Sequence, residues 1–247
     1  MALSVVQVAS AEHNGGTAST LAVPITTTTG NLLVAWARHG TDITTTITVK
    51  DSNGVAWTAV AAGPVHTNST DITYGEMFYL ANGTNTAITS VTATYSVAVG
   101  FLGMIVYEIS GANITSPEDT SVNTTNDLLN QTSLTSNQFT TTNANDILLF
   151  GASTNATSGT YTAGSGYNLP TNSTLTRTAF ENQIVSSIQT NATASISWAT
   201  ARTGVISTLG AFKAAAAASP TFEDDSFNVV RVPLVEPEVS IWGLPCQ

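Results

Sequence analysis

Apolar residues along this chain come in short bursts separated by Thr, Ser, Asn and Gly, and no segment of helical length carries a 3.6-residue period. The bursts predict strands at 3–8, 19–23, 32–37, 44–50, 56–60, 73–80, 87–95, 101–109, 147–152, 176–188, 193–198 and 205–212. Two patterns separate them. In Thr193-Ala194-Ser195-Ile196-Ser197-Trp198 the apolar residues alternate with polar ones, as in a strand with one wet face. Leu32-Leu33-Val34-Ala35-Trp36, Phe101-Leu102-Gly103-Met104-Ile105-Val106-Tyr107 and Ile147-Leu148-Leu149-Phe150 are apolar throughout, which places them centrally, under another layer or a subunit. Between strands, Asp51-Ser52-Asn53-Gly54, Asn82-Gly83 and Gly164-Ser165-Gly166 supply residues that tolerate positive φ at hairpin ends. The expectation is an all-β antiparallel β-sandwich, jelly-roll-like, with an extended C-terminal arm.

The pattern also divides the chain. Residues 1–213 form the sandwich body, 214–219 an Ala-rich linker and 220–247 the arm; residues 113–145, rich in Asn and Thr around Pro117, read as a surface excursion within the body. An echo links the halves. Gly30-Asn31-Leu32-Leu33-Val34-Ala35-Trp36 is matched by Asn145-Asp146-Ile147-Leu148-Leu149-Phe150, and 90–95 by 193–198. Either one half is duplicated or two facing sheets impose one pattern; the second is the expectation, because paired strands of a jelly roll read alike.

The arm is the most informative segment. It is apolar, with Phe222, Phe227, Val230, Val232, Leu234, Ile241 and Trp242 among its residues, and Pro220, Pro233, Pro237 and Pro245 bar it from a helix or a central strand. An exposed apolar ribbon invites association, so docking on a neighbouring subunit is expected, with these seven residues as partner-binding positions.

Composition sharpens that picture. Charged residues are only 9% against 42% hydrophobic, and Thr is about one residue in six, so Thr, Ser and Asn must cover the solvent faces. A formal net charge of −10 with six basic residues argues against nucleic acid and anionic membrane as partners, since phosphate binding needs clustered Arg and Lys. The lone Cys246 allows no internal disulfide. The 3–8 run reads as a strand without the regions of a signal peptide, so the expectation is manufacture in a host cytoplasm and release by lysis, as for virion proteins.

Candidate chemistry is sparse. Glu76, Glu108, Asp119, Asp127, Asp146 and Glu181 are the acids from which a glycoside-cleaving pair would be drawn. His13, His39 and His66 sit in loop-like contexts without a nucleophile elbow or zinc spacing. Asp51, Asn53, Asp71, Asp119 and Asp127 are explained by turn chemistry, since Asp51-Ser52-Asn53-Gly54 lacks the downstream acids of a calcium loop. Tyr161 and Tyr167, flanking a Gly-rich loop, are the candidate glycan platform; Trp36, Trp57 and Trp198 are expected in the core. No catalytic residue, metal or cofactor is expected.

The order of Gly30-Asn31-Leu32-Leu33-Val34, Asp51-Ser52-Asn53-Gly54-Val55-Ala56-Trp57, Phe78-Tyr79-Leu80-Ala81-Asn82, Val106-Tyr107-Glu108-Ile109-Ser110-Gly111, Asn143-Ala144-Asn145-Asp146-Ile147-Leu148-Leu149 and Gly210-Ala211-Phe212-Lys213 resembles the Ser/Thr/Gly-rich β-sandwich modules of phage decoration, head or fibre proteins and of bacterial surface proteins. The resemblance spans residues 3–213 and implies a coating or binding sandwich; it carries no functional residue across. The expected role is a non-enzymatic virion protein, a capsid decoration or head-associated subunit whose partners are other structural subunits, with a trimer the natural oligomer on a threefold site. Two alternatives are a carbohydrate-binding or adhesin module and an extracellular filament subunit that donates the arm as a strand.

Overall fold

The computed structural model describes residues 2–68, 71–81 and 87–216. The arm positions Phe222, Phe227, Val230, Val232, Leu234, Ile241 and Trp242, and the Asn82-Gly83 turn, lie outside them. The described residues form an all-β antiparallel sandwich. Its strands are β1 (Ser4–Pro24), β2 (Leu32–His39), β3 (Ile47–Asp51), β4 (Thr58–Ala59), β5 (Val65–His66), β6 (Tyr74–Ala81), β7 (Ser90–Ser110), β8 (Glu118–Asn126), β9 (Gln131–Thr135), β10 (Asp146–Thr154), β11 (Tyr161–Thr162), β12 (Thr178–Val185), β13 (Ser195–Arg202) and β14 (Val205–Lys213).

Two of these are longer than the sequence pattern suggests. Residues 3–8 and 19–23 belong to one 21-residue strand β1, which runs antiparallel to an equally long β7 that joins the predicted strands at 87–95 and 101–109. Both strands cross between layers. Register shifts between His13 and Thr17 and between Ala18 and Thr20 kink β1, while Gly100 and a positive φ of 57° at Phe101 mark the same level of β7. Their outer halves join β3, and their inner halves join β2. At the crossing Glu12-His13-Asn14-Gly15-Gly16 of β1 interrupts the apolar pattern and hides this continuity.

The second half repeats the arrangement. The order β1-β7-β2-β6 in the first half corresponds to β8-β14-β10-β12 in the second, and the outer set β1-β7-β3 corresponds to β9-β13-β11. Leu32 faces Ala81 and Ile109 across its sheet, as Ile147 faces Ile184 and Phe212. The echo follows this correspondence: 30–36 and 145–150 lie in the two inner sheets, which face each other as expected, whereas 90–95 and 193–198 lie in the two outer layers, which do not. The expected surface excursion at 113–145 is corrected by the same symmetry, because it holds β8 and β9. Those strands are Thr- and Asn-rich and half-buried, so their apolar signal is weak.

Three apolar clusters fill the gaps between four layers. Leu33, Ala35 and Val106 face Val49, Val91 and Tyr95 of the first outer layer. Leu148, Phe150 and Leu209 face Ile196, Trp198 and Tyr161 of the second. Between the inner sheets, Leu32, Val34, Trp36, Met77 and Tyr107 meet Ile147, Leu149, Phe180, Ile206 and Phe212. β2, β10 and most of β14 are thus buried on both faces, as their continuous apolar runs require.

Trp36 is the key of the central layer. It is fully buried and its indole N–H donates to Ser153 Oγ at 2.9 Å, from one half to the other. Its ring occupies the space a side chain would need at Gly75 of β6 and at Gly151 of β10; a Cβ there would fall 2.5 and 2.6 Å from ring carbons. Gly151→Ala is expected to lower stability by about 1–3 kcal/mol through overpacking, whereas Gly15→Ala, with nothing within 4 Å of the added Cβ, should be nearly neutral. Urea unfolding midpoints of the two variants check this.

Candidate functional site

The segment leading into the arm is clamped at the body's edge. Lys213 N–H donates to Pro117 O at 2.7 Å and its carbonyl accepts from Asn113 N at 2.8 Å; Ala214 N–H donates to Asn145 O and Ala215 N–H to Gly111 O, both at 2.8 Å. Ala112 and Ala214 form a bridge that extends the β14 pairing. Gly111 makes the turn possible: its φ is +75°, and a Cβ would meet Ala2 O at 2.1 Å. Beside this clamp lies a largely apolar cleft of about 480 Å³, walled by the 29–31 turn, the 110–115 turn and the side chains of Ala215 and Ala216. Chain direction at residue 216 is thus fixed by four backbone hydrogen bonds at the rim of an apolar recess. The hydrophobic pattern places the boundary at 213 but carries no signal for the clamp, which is built from backbone groups.

The acids singled out in the sequence are mostly scattered. Glu108 is fully buried in β7 and accepts hydrogen bonds from Gln7 Nε2, Thr28 N and Asn31 Nδ2, so it pins the 26–31 segment to its sheet. Glu181, also fully buried, accepts from Gly164 N–H at 2.9 Å, and burial pushes its carboxyl up to about 8. Burial raises Glu76 to about 7. Asp127 caps Asn68 N–H at 3.1 Å. Only Asp119 and Asp146 come together, bridged by Asn143, whose backbone N–H donates to Asp119 and whose side-chain amide donates to Asp146. Two carboxyls joined through one asparagine leave no room for a sugar between them, which glycoside-cleaving pairs need.

The remaining candidates are structural. Tyr161 and Tyr167, the expected glycan platform, are each 8% exposed and belong to the core between the second pair of layers, where Tyr161 packs edge-on against Trp198 at 6.3 Å. They offer no ring face to a ligand, because the Gly-rich loop between them folds inward over β12. Trp36, Trp57 and Trp198 are core residues as expected. The histidines lie in or at the ends of strands rather than in loops; His39 stacks on Tyr74 at 4.6 Å, donates from Nε2 to Thr45 O and is held by burial down at about 4. Asp51 accepts from Asn53 N and Val55 N within its own turn. Among the described residues no three His, Cys, Asp or Glu side chains gather as a metal site.

One cluster had no sequence signal. Arg38, Arg177 and Arg202, half of the six cations, converge on the 154–157 loop, donating to the carbonyls of Thr154, Asn155 and Thr157. Arg38 is buried, which lowers it to about 10, and also donates to Phe101 O at 2.8 Å; Arg177 lies 3.9 Å above the Phe101 ring. Here guanidinium replaces strand pairing as the partner of loop carbonyls. No family model, curated protein or solved structure matches the chain.

The raised carboxyls set a pH dependence. A group whose pKa is higher folded than unfolded stabilises the fold fully below its unfolded value, and that stability drains away as pH rises through the folded one. Glu76 and Glu181 therefore weaken the fold between about pH 4.5 and 8, and His39, lowered, weakens it only on acidification below its ordinary 6.5. Each pKa unit is about 1.4 kcal/mol, or a few degrees in Tm for a domain of this size. The melting temperature is expected to fall by about 5 °C between pH 6.5 and 8.5. Glu181→Gln, which keeps the acceptor for Gly164, should remove most of that fall; calorimetry over the pH range checks it.

Proposed function

We propose that this chain is a non-enzymatic structural protein of a virus particle, of the phage decoration or head-associated kind, that docks on neighbouring subunits through residues 220–247. The observation that supports this most is the clamped exit: four backbone hydrogen bonds and a glycine-dependent turn hold Lys213–Ala215 at the rim of an apolar cleft. A chain end of no consequence needs no such anchorage, whereas an arm that must reach a neighbour gains from a fixed point of departure, since less ordering entropy is lost on docking. Beyond the clamp the sequence is apolar and punctuated by proline, with Phe222, Phe227, Ile241 and Trp242 the natural anchors and 228–232 the segment able to add a strand. Linking body and arm contacts in one chain raises the effective concentration of the second contact.

The body supports the same reading. Its buried acids and arginines are engaged in holding its own loops, and its outer faces are Thr and Ser, a surface suited to a coat. A trimer is the stoichiometry proposed for a threefold capsid position. A carbohydrate-binding role has lost its aromatic platform, as Tyr161 and Tyr167 are buried.

Ending the chain after Ser219 tests the proposal. The shortened protein is expected to melt within about 3 °C of the full chain, a shift on the order of 1 kcal/mol, and to sediment as a monomer where the full chain associates. Association of the shortened protein equal to that of the full chain would overturn it.

A further inference from the structure

Asp119 and Asp146 form the one place among the described residues where two of the candidate acids meet, and their surroundings are one-sided. Asp119 accepts from Thr142 N at 2.6 Å, from Thr142 Oγ1 and from Asn143 N at 3.2 Å. Asp146, the first residue of β10 and fully buried, accepts at Oδ1 from Asn143 Nδ2 at 3.0 Å. Its Oδ2 is sealed from water and has no hydrogen-bond partner, and the Asp119 carboxyl is near enough to act on its titration. Two carboxylates cannot hydrogen-bond to each other without a proton between them. A single proton on the pair would let one carboxyl donate to the other.

The charged groups around the pair are few. Across β14 the partner of Asp146 is Lys213, whose ammonium favours the ionised form; across β12 it is the apolar Val185. Glu118, next to Asp119 on β8, is turned to Ala61 N and Ser121 Oγ. Burial outweighs Lys213, and with the neighbouring Asp119 it raises Asp146 to about 6, while the donors of Thr142 and Asn143 hold Asp119 below the usual carboxylate range. Asp146 is therefore the residue that carries the proton, and it does so in mild acid.

The pair is wired to the exit clamp. Asn143 Nδ2 donates to Asn145 O as well as to Asp146, and Asn145 O is the acceptor of Ala214 N–H. The 142–146 turn is thus gripped by the carboxyl pair on one side and holds Ala214 on the other.

We propose that Asp119 and Asp146 are a proton-operated latch on the exit of the C-terminal segment. With the shared proton in place, Asp146 donates to Asp119, the turn is held and Ala214 stays pinned. Without it, two adjacent carboxylates in a site that excludes water repel, and the turn that Asn143 ties to both lets go of Ala214 N–H. The latch rests on described residues alone and holds whether or not the arm has a partner.

Amide hydrogen exchange on the full chain, corrected for intrinsic rates, tests it. Between about pH 5 and pH 7.5 the protection of Asn143 and Ala214 is expected to fall by about tenfold or more, since each pKa unit of linkage is a factor of ten. Core amides of Leu149 and Phe150 report global opening, which Glu76 and Glu181 also weaken over this range, so the series is run in a Glu76→Gln/Glu181→Gln background, where they should fall less than Asn143 and Ala214. Asp146→Asn, whose Nδ2–H replaces the shared proton while its Oδ1 still accepts from Asn143, should leave Asn143 and Ala214 protected across the range. Protection that is flat with pH in the natural chain, that falls equally at the core amides, or that falls as steeply in Asp146→Asn would overturn the latch. A melting temperature recorded for each variant shows that the comparison is between folded proteins.

Discussion

The structure depends on the contact between its two inner sheets, and that contact depends on an asymmetry at one position. Trp36 and Gly151 occupy equivalent places in the two halves, four residues beyond Leu32 and Ile147. Two indoles facing each other across sheets that stand about 10 Å apart would overfill the layer. One indole opposite a glycine fills it, with Gly75 giving way on the same sheet and Ser153 satisfying the indole N–H. A repeated half can therefore become one body only after the repeat is broken here. Around this contact Leu32, Val34, Ile147 and Leu149 fill the layer with branched side chains, and Tyr107 adds a second polar tie between the halves by donating to Phe180 O at 2.5 Å.

That constraint accounts for what the two halves keep and what they vary. Each needs its long connection, the one entering β2 or β10, tied to the sheet, because the loop carries backbone groups that strand pairing leaves unmatched. The first half does this with Glu108, whose two oxygens accept from three N–H donors. The second does it with Asp119, and its neighbour is another acid. The same mechanical task is thus solved once by neutral donors alone and once by neutral donors beside a second carboxyl.

The sequence made the fold class and the buried strands legible, for identifiable reasons. Leu32–His39 and Asp146–Thr154 announce burial on both faces because a strand between two layers has no polar side to show. Trp198 reads as core because it closes an alternating run, with Ala194, Ile196 and Trp198 on one face. β8 and β9 were missed because their half-buried faces are Thr, Ser and Asn, indistinguishable in pattern from a loop. Tyr161 and Tyr167 misled for the opposite reason: a Gly-rich neighbourhood suggests exposure, but here it lets the loop fold tightly over Glu181. Neither the arginine cluster nor the exit clamp had a local signature, since both are made by residues far apart in the chain donating to carbonyls, and carbonyls are the same at every position.

The scarcity of cations gives these arrangements a common cause. With six basic residues against sixteen acids, ion pairs cannot neutralise the carboxylates that folding draws inside. Three of the cations are further committed to the carbonyls of one loop. A buried acid in such a chain has two remaining ways to be accommodated: several neutral donors, as at Glu108, or a proton, as at Glu181 and Asp146. The second is available only while the solution supplies protons at the folded pKa, so a chain poor in Lys and Arg acquires pH sensitivity wherever a carboxyl is buried without a full set of donors. At Glu181 that sensitivity is confined to the core and affects stability alone. At Asp146 the same chemistry lies one residue from Asn145, whose carbonyl holds Ala214, and a change of protonation is transmitted to the point where the arm begins.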